Sequence, residues 1–79
     1  MKTLKEIKNY LKSLEKEEII SKRGNKYEVV RIEERLMHKL FAYKSINVGI
    51  HIVNDVVIYP IKWYENEKLI EVIVARKED

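Results

Sequence analysis

The residues best able to carry chemistry in this sequence are its two histidines and its adjacent carboxylates. His38 and His51 each stand alone, away from the groups that would make a metal site or a general base. The glutamate pairs at 17–18 and 33–34 have Lys or Arg about one turn away, a spacing typical of solvated helix positions. We therefore predict no catalytic residue and no metal site.

The numbers of glycines and cysteines exclude further classes of function. The chain has two glycines, Gly24 and Gly49, which are too few for a phosphate-cradling loop of P-loop or dinucleotide type. It has no cysteine, so neither a disulfide nor a cysteine zinc site can supplement the core. We expect a protein that is not an enzyme, holds no cofactor and acts on no small-molecule substrate.

Positive charge is concentrated in the N-terminal third of the chain. Residues 1–26 hold eight Lys or Arg and four Glu, a net charge of +4. Residues 27–79 hold eight Lys or Arg and nine acids, a net charge of −1, so the whole excess of +3 comes from the first segment. That segment is where we expect an anionic partner to bind.

The first helix is predicted to begin at an N-cap on Thr3. Glu6 follows three residues later, which is the spacing of a capping box. One apolar stripe at helical spacing then consists of Leu4, Ile7, Leu11 and Leu14. These signals predict an amphipathic helix that begins after Thr3 and carries the apolar stripe from Leu4 to Leu14.

Lysines lie along one flank of that stripe at about 100° per residue. The row consists of Lys2, Lys5, Lys8, Lys12 and Lys16, and the adjoining turn adds Lys22, Arg23 and Lys26. These side chains could contact successive phosphates and release condensed counterions, and Asn9 could add a hydrogen bond. Alternatively, the lysines only solvate the helix and lay their aliphatic stems over its core contacts. Both interpretations stay open.

The segment "LEKEEIISKRGNKYEVV" resembles the recognition-helix end, the following strand and the wing of winged-helix DNA-binding proteins. In that family a helix leads into Leu/Ile-Ile, a basic Gly-containing turn and a Tyr-bearing strand, and the likeness here covers residues 4–30. The resemblance implies that Lys5, Lys8, Asn9 and Lys12 face the major groove while Lys22, Arg23 and Lys26 contact phosphates as a wing. Nothing before residue 3 corresponds to the first two helices of that family.

A second amphipathic helix is predicted over residues 31–44. Its apolar arc consists of Ile32, Leu36, Leu40 and Tyr43, widened by Met37 and Phe41. An arc this broad should contact two surfaces. Residues 26–30 could belong to this helix or form a short strand before it.

The C-terminal part is predicted to be a three-stranded antiparallel meander. A two-residue turn at Asn54 and Asp55 starts the first register. It pairs Val53 with Val56, Ile52 with Val57, Ile50 with Tyr59, Val48 with Ile61 and Ile46 with Trp63. A four-residue loop at 65–68 then pairs Tyr64 with Leu69 and Trp63 with Ile70. Pro60 would interrupt the middle strand, which predicts a bulge or bend there.

The meander has apolar residues on both faces. The face of Ile46, Val48, Ile50, Ile52 and their partners is predicted to be the core. The outer face carries Val53, Val56, Ile58, Tyr64, Leu69 and Ile73. We expect a helix or a second copy of the chain to cover part of this outer face.

We predict one α+β domain over residues 1–79, mainly helical in 1–45 and a β-meander in 46–76. The 37% of charged residues favours a thermophilic source slightly, and no signal or membrane segment is evident, so we expect a cytoplasmic protein. The predicted function is non-catalytic nucleic-acid binding, most simply of DNA by a homodimeric transcriptional regulator. The alternative is a protein-interaction or assembly module acting through the second helix and the outer sheet face.

Overall fold

The computed structural model describes residues 3–78 and has an α+β fold. The helices are α1 (Leu4–Ser13) and α2 (Glu34–Phe41). The strands are β1 (Glu17–Ile20), β2 (Lys26–Ile32), β3 (Asn47–Val48), β4 (His51–Val53), β5 (Val56–Glu65) and β6 (Lys68–Arg76). They form one mixed sheet in the order β1-β2-β6-β5-β3, with β4 also paired to β5. Neither described helix is long and apolar enough to cross a membrane.

Helix α1 begins as the sequence predicts and ends earlier. The Thr3 side chain accepts a hydrogen bond from the Glu6 backbone N–H, and the Glu6 side chain returns one, which confirms the capping box. Helical structure stops at Ser13 because Leu14 is extended, with φ −69° and ψ 145°. Lys16 therefore does not continue the helical lysine row, and Lys2 lies outside the described residues.

The prediction that residues 1–45 are mainly helical is wrong for 17–32, which form the antiparallel hairpin β1–β2. The open question at 26–30 is settled as strand, and the predicted helix over 31–44 shortens to α2. β2 carries Val29 on one face and Val30 and Ile32 on the other, all buried. A β-branched run that is buried on both faces suits a strand inside a sheet, and β2 runs parallel to β6.

The predicted meander is present as β3/β4, β5 and β6, although it is only part of the larger sheet. Val53 pairs with Val56 and Val48 with Ile61, as predicted. The second connection is a two-residue turn, because residues 65 and 68 are themselves paired. Both turns contain two non-glycine residues with positive φ, namely Asn54, Asp55, Asn66 and Glu67.

Pro60 removes one rung of the sheet without changing its register. Pairs on both sides of it share the same offset, so no residue is inserted and, of the predicted bulge or bend, the bulge is wrong. The Gly49 N–H donates to the Pro60 carbonyl at 2.8 Å, but Pro60 has no N–H to return. The missing bond lies on the side of the edge strand, where proline is tolerated, and it separates β3 from β4.

Two cores lie on opposite faces of the sheet. The first lies under the helices and includes Ile7, Leu11, Met37, Leu40, Ile61, Trp63 and Val74. The second consists of Val29, Val53, Ile58 and Ala75, with Ile19, Tyr27, Val56 and Ile73 packed against it. It contains much of the predicted outer face, which neither helix covers.

Three residues assigned to the predicted core face are instead exposed. Ile50, Ile52 and Val57 are 71%, 65% and 37% exposed. Ile50 and Ile52 lie at the edge of the sheet, Val57 is paired with Ile52, and the first core includes no residue of β4. Alternation placed them on the correct face, but no helix extends far enough to bury them.

Candidate nucleic-acid interface

The α1 lysines of the predicted interface lie over the end of strand β5. Lys8 Nζ is 5.6 Å from the centre of the Trp63 ring, a cation–π distance. Lys12 Nζ is 3.1 Å from a carboxylate oxygen of Glu65. These two cations therefore help to attach the helix to the sheet, whereas Lys5 and Asn9 are exposed on α1.

Glu65 links the helix to the tryptophan. It accepts a hydrogen bond from Trp63 Nε1 at 2.9 Å and another from Lys12. The indole hydrogen bond, and then the Lys12 ammonium, hold the pKa of the Glu65 carboxyl below its ordinary value. A nucleic-acid phosphate at Lys12 would have to compete with this carboxylate.

Two further cations of the predicted interface form ion pairs along the β1–β2 hairpin. Lys16 Nζ lies 3.7 Å from Glu28, and Lys26 Nζ lies 3.9 Å from Glu18. All four side chains are at least about half exposed, so these pairs contribute little to stability and exchange readily with solvent. Lys16 and Lys26 also line one shallow groove, so they connect the α1 end of the hairpin to its turn.

Lys22 and Arg23 project from the turn between β1 and β2. Backbone hydrogen bonds from Ser21 to Asn25 and from Gly24 to Ser21, each 2.9 Å, close the turn. Gly24 has φ +85°, a conformation that a side chain would strain. Both cations are exposed, and within residues 3–78 neither forms an ion pair. A fixed turn thus presents two unneutralised positive charges.

The sheet curls so that this turn meets the β4–β5 turn at the opposite edge. Asn54 Nδ2 donates to the Ile20 carbonyl at 2.7 Å. The Tyr27 hydroxyl and His51 Nε2 are 3.4 Å apart, and their ring centres are 5.8 Å apart. The curl also explains the second core, since it brings residues from both hairpins together beneath the turns.

A cleft of about 510 Å³ lies between the two turns. Its polar and charged lining consists of Ser21, Lys22, Arg23, Asn25, Tyr27, His51, Asn54 and Asp55. The structure therefore brings Lys22 and Arg23 together with a histidine and a tyrosine, and separates them from the α1 lysines. The cleft is concave and basic at one rim, with the Asp55 carboxylate on the β4–β5 side.

The β4 side of this cleft was not predicted from the sequence. His51 was treated as an isolated residue, and Asn54 was assigned only to its turn. Strand alternation does place His51 on the same face as Val53, a residue of the second core. No local signal shows that Tyr27 lies opposite, because their contact depends on the curl of the whole sheet.

An exposed apolar patch lies on the helix side of the sheet and adjoins the cleft at Ile52, which lines both. Ile52 pairs with Val57, and Tyr59 follows on the same face of β5. Phe41 of α2 reaches Tyr59, with 5.3 Å between ring centres. We call Phe41, Ile50, Ile52 and Val57 the apolar patch; each is more than a third exposed.

Within the described residues, no cluster of three His, Asp or Glu side chains could hold a metal ion. No known protein family, curated protein or solved structure matches the chain. The described residues share with winged-helix proteins only the local order of a helix, a strand, a basic turn and a second strand. The resemblance to that family stays a prediction.

Proposed function

We propose that this protein binds nucleic acid and catalyses no reaction on it. The observation that carries the proposal is the pair of unneutralised cations, Lys22 and Arg23, held by a closed turn at the rim of the cleft. Because the backbone of the turn is closed by hydrogen bonds, contact with phosphates has to order only the two side chains and not the loop that carries them. Release of counterions from those phosphates then supplies affinity that does not depend on sequence.

The remaining cations extend this surface along the hairpin. Lys26 and Lys16 follow from the turn toward α1, where Lys5 is exposed. Their exposed partners, Glu18 and Glu28, hold them weakly, so a phosphate can replace a carboxylate at modest cost. Lys8 and Lys12 contribute less, because Trp63 and Glu65 already engage them.

The test is fluorescence anisotropy of labelled DNA and RNA with the wild-type protein and a charge-reversed variant. The variant K22E/R23E changes the charge by −4 at the turn. A matched control, R35E/K44E, reverses one Arg and one Lys that are exposed and outside the cleft. We expect K22E/R23E to weaken binding strongly but measurably at ~50 mM salt, and R35E/K44E to weaken it only slightly.

Salt dependence gives a second readout of the same contacts. Loss of two phosphate contacts should reduce the slope of log K against log[salt] by about 1.4 for a single strand or about 1.8 for a duplex. Equal effects of the two variants would mean that only net charge matters, which would contradict a site at the turn.

A second candidate function is self-assembly, and the apolar patch favours it. Phe41 and Val57 of the patch line a groove that also carries Arg31 and Arg76 and the acids Glu34, Asp55 and Glu78. A second copy could therefore meet it with opposite charges paired. We propose a homodimer across this patch. Sedimentation velocity should show a dimer for the wild-type protein and a monomer for I52K. The control I20K changes an isoleucine that is 50% exposed but lies outside the patch. Monomeric wild-type protein at ~100 μM would exclude this homodimer.

A further inference from the structure

The cleft between the two turns contains an exposed ring as well as cations. His51 is exposed, and its ring lies against Tyr27 at an interplanar angle of 44°. Tyr27 is half-buried because its body packs on the second core. The histidine ring is thus held beside Tyr27 by a tilted ring contact and by the approach of the Tyr27 hydroxyl to Nε2 at 3.4 Å, while the side chain remains open to the cleft.

We infer that this cleft binds single-stranded nucleic acid, with a base against His51 and the flanking phosphates at Lys22 and Arg23. The inference rests on the proposed function and specifies its ligand. An aromatic ring beside cations in a groove is the arrangement that recognises unpaired bases, since every base has a face that can stack. A duplex keeps its base faces stacked inside, so it could contact only the basic rim.

The charges around the His51 ring determine on which side of the cleft the phosphates of the nucleic acid lie. Lys22 and Arg23 lie on the β1–β2 side of the cleft, and the Asp55 carboxylate lies on the β4–β5 side. Phosphates are therefore attracted to the first side and repelled from the second, which leaves the base directed toward His51. Asn25 adds an amide to the lining that can bond a base edge or a phosphate.

Asn54 keeps the β4–β5 side in place. Its amide nitrogen is engaged with the Ile20 carbonyl, so the opening of the cleft is set before a ligand enters. The ring and the backbone positions that carry the cations are therefore pre-organised, which reduces the entropy lost on binding.

The test uses fluorescence anisotropy with three probes: an eight-nucleotide DNA strand, the corresponding RNA strand and a duplex. The variant is H51A, and H38A is its matched control because His38 is an exposed histidine on α2, outside the cleft. We expect H51A to weaken single-strand binding about tenfold, within the range for one lost stacking contact. We expect H38A to have no effect, and duplex binding to be weaker than single-strand binding and insensitive to H51A.

An abasic strand isolates the contribution of the base. The wild-type protein should bind it about tenfold more weakly than the normal strand, and H51A should weaken that binding no further. H51Q, which keeps a polar side chain without a ring, should behave as H51A does if the alanine variant does not fold. Circular dichroism checks each fold.

The failures of the two proposals are distinguishable. In one outcome K22E/R23E weakens binding while H51A binds the normal strand as tightly as the wild type does, and the wild type binds the abasic strand as tightly as the normal strand. In that case the contacts are electrostatic only. The inference is then overturned and the proposed function stands. Tighter binding to the duplex than to either strand would overturn the inference in the same way. If no probe binds at ~50 mM salt, both proposals fail. The DNA and RNA probes show which sugar the site prefers.

Discussion

At the scale of single residues, Glu65 illustrates how one side chain can join distant parts of the chain. Its carboxylate accepts hydrogen bonds from Trp63 on its own strand and from Lys12 on α1. Both contacts favour the ionised form, and they hold the pKa of Glu65 below its ordinary value of 4.5. The sequence revealed the lysine row, but it gave no sign that Lys12 would meet an acid 53 residues later.

We predict that Glu65 contributes to stability in a pH-dependent way. Because its pKa is lower in the folded than in the unfolded chain, its contribution is complete above the ordinary carboxyl pKa. That contribution is lost as the pH falls through the lowered value. E65Q should therefore lower Tm at neutral pH and flatten the fall in Tm on acidification, as measured by circular dichroism. E67Q is the control, since Glu67 lies in the same turn and the structure describes no ion pair or hydrogen bond for its side chain. Equal pH profiles for wild type and E65Q would contradict this assignment.

At the scale of elements, local sequence signals were sufficient to predict the structure where residues close in sequence are also close in space. The capping box of α1 and the registers of the β4–β5 and β5–β6 hairpins follow from residue spacing alone, and the structure confirms them. The strand β2 could not be predicted from residue spacing, because its neighbour β6 is 44 residues away and no local pattern identifies the pairing. The predicted second helix was too long for the same reason: Ile32 fits a helical stripe, but packing beside β6 makes it part of a strand.

The contact between the two turns gives a prediction at this scale. N54D keeps a residue that tolerates the positive φ of 50° but replaces the amide that donates to Ile20 with an acceptor. We expect a loss of about 1 kcal/mol in the free energy of unfolding, measured with urea. N66D is a close control because Asn66 has nearly the same φ, 49°. No side-chain hydrogen bond of Asn66 is described. Similar losses for both variants would show that the bond to Ile20 does not stabilise the curl.

At the scale of the whole molecule, the curl of the sheet determines both the second core and the cleft. Alternation on β5 predicted that Ile58 would point away from the main core, and it does, but it is fully buried. Half of the candidate site was predictable from the sequence, since the basic turn is a local feature. The other half, His51 and Tyr27, depends on two edges of one sheet meeting, which only the folded chain reveals.

We predict that the second core is essential to stability despite its small size. I58A should cost about 2–5 kcal/mol, the usual range for truncating a buried isoleucine, and this is a large part of the stability of a small domain. L69A is the control, because Leu69 has a similar side chain, points to the same face and is 50% exposed. Its effect should stay within about 0.5–1 kcal/mol. Equal Tm changes for the two variants would show that the curl buries less than described here.

We propose that two turns from opposite edges of the sheet form one binding cleft for nucleic acid. The most direct measurement is a ¹H–¹⁵N NMR titration of the wild-type protein with a single-stranded oligonucleotide of about eight nucleotides. We expect the amides of residues 21–27 and 51–55 to shift together with one saturation curve. Absence of shifts, or shifts confined to α1 or to Phe41, Ile50 and Val57 of the apolar patch, would contradict a site between the turns.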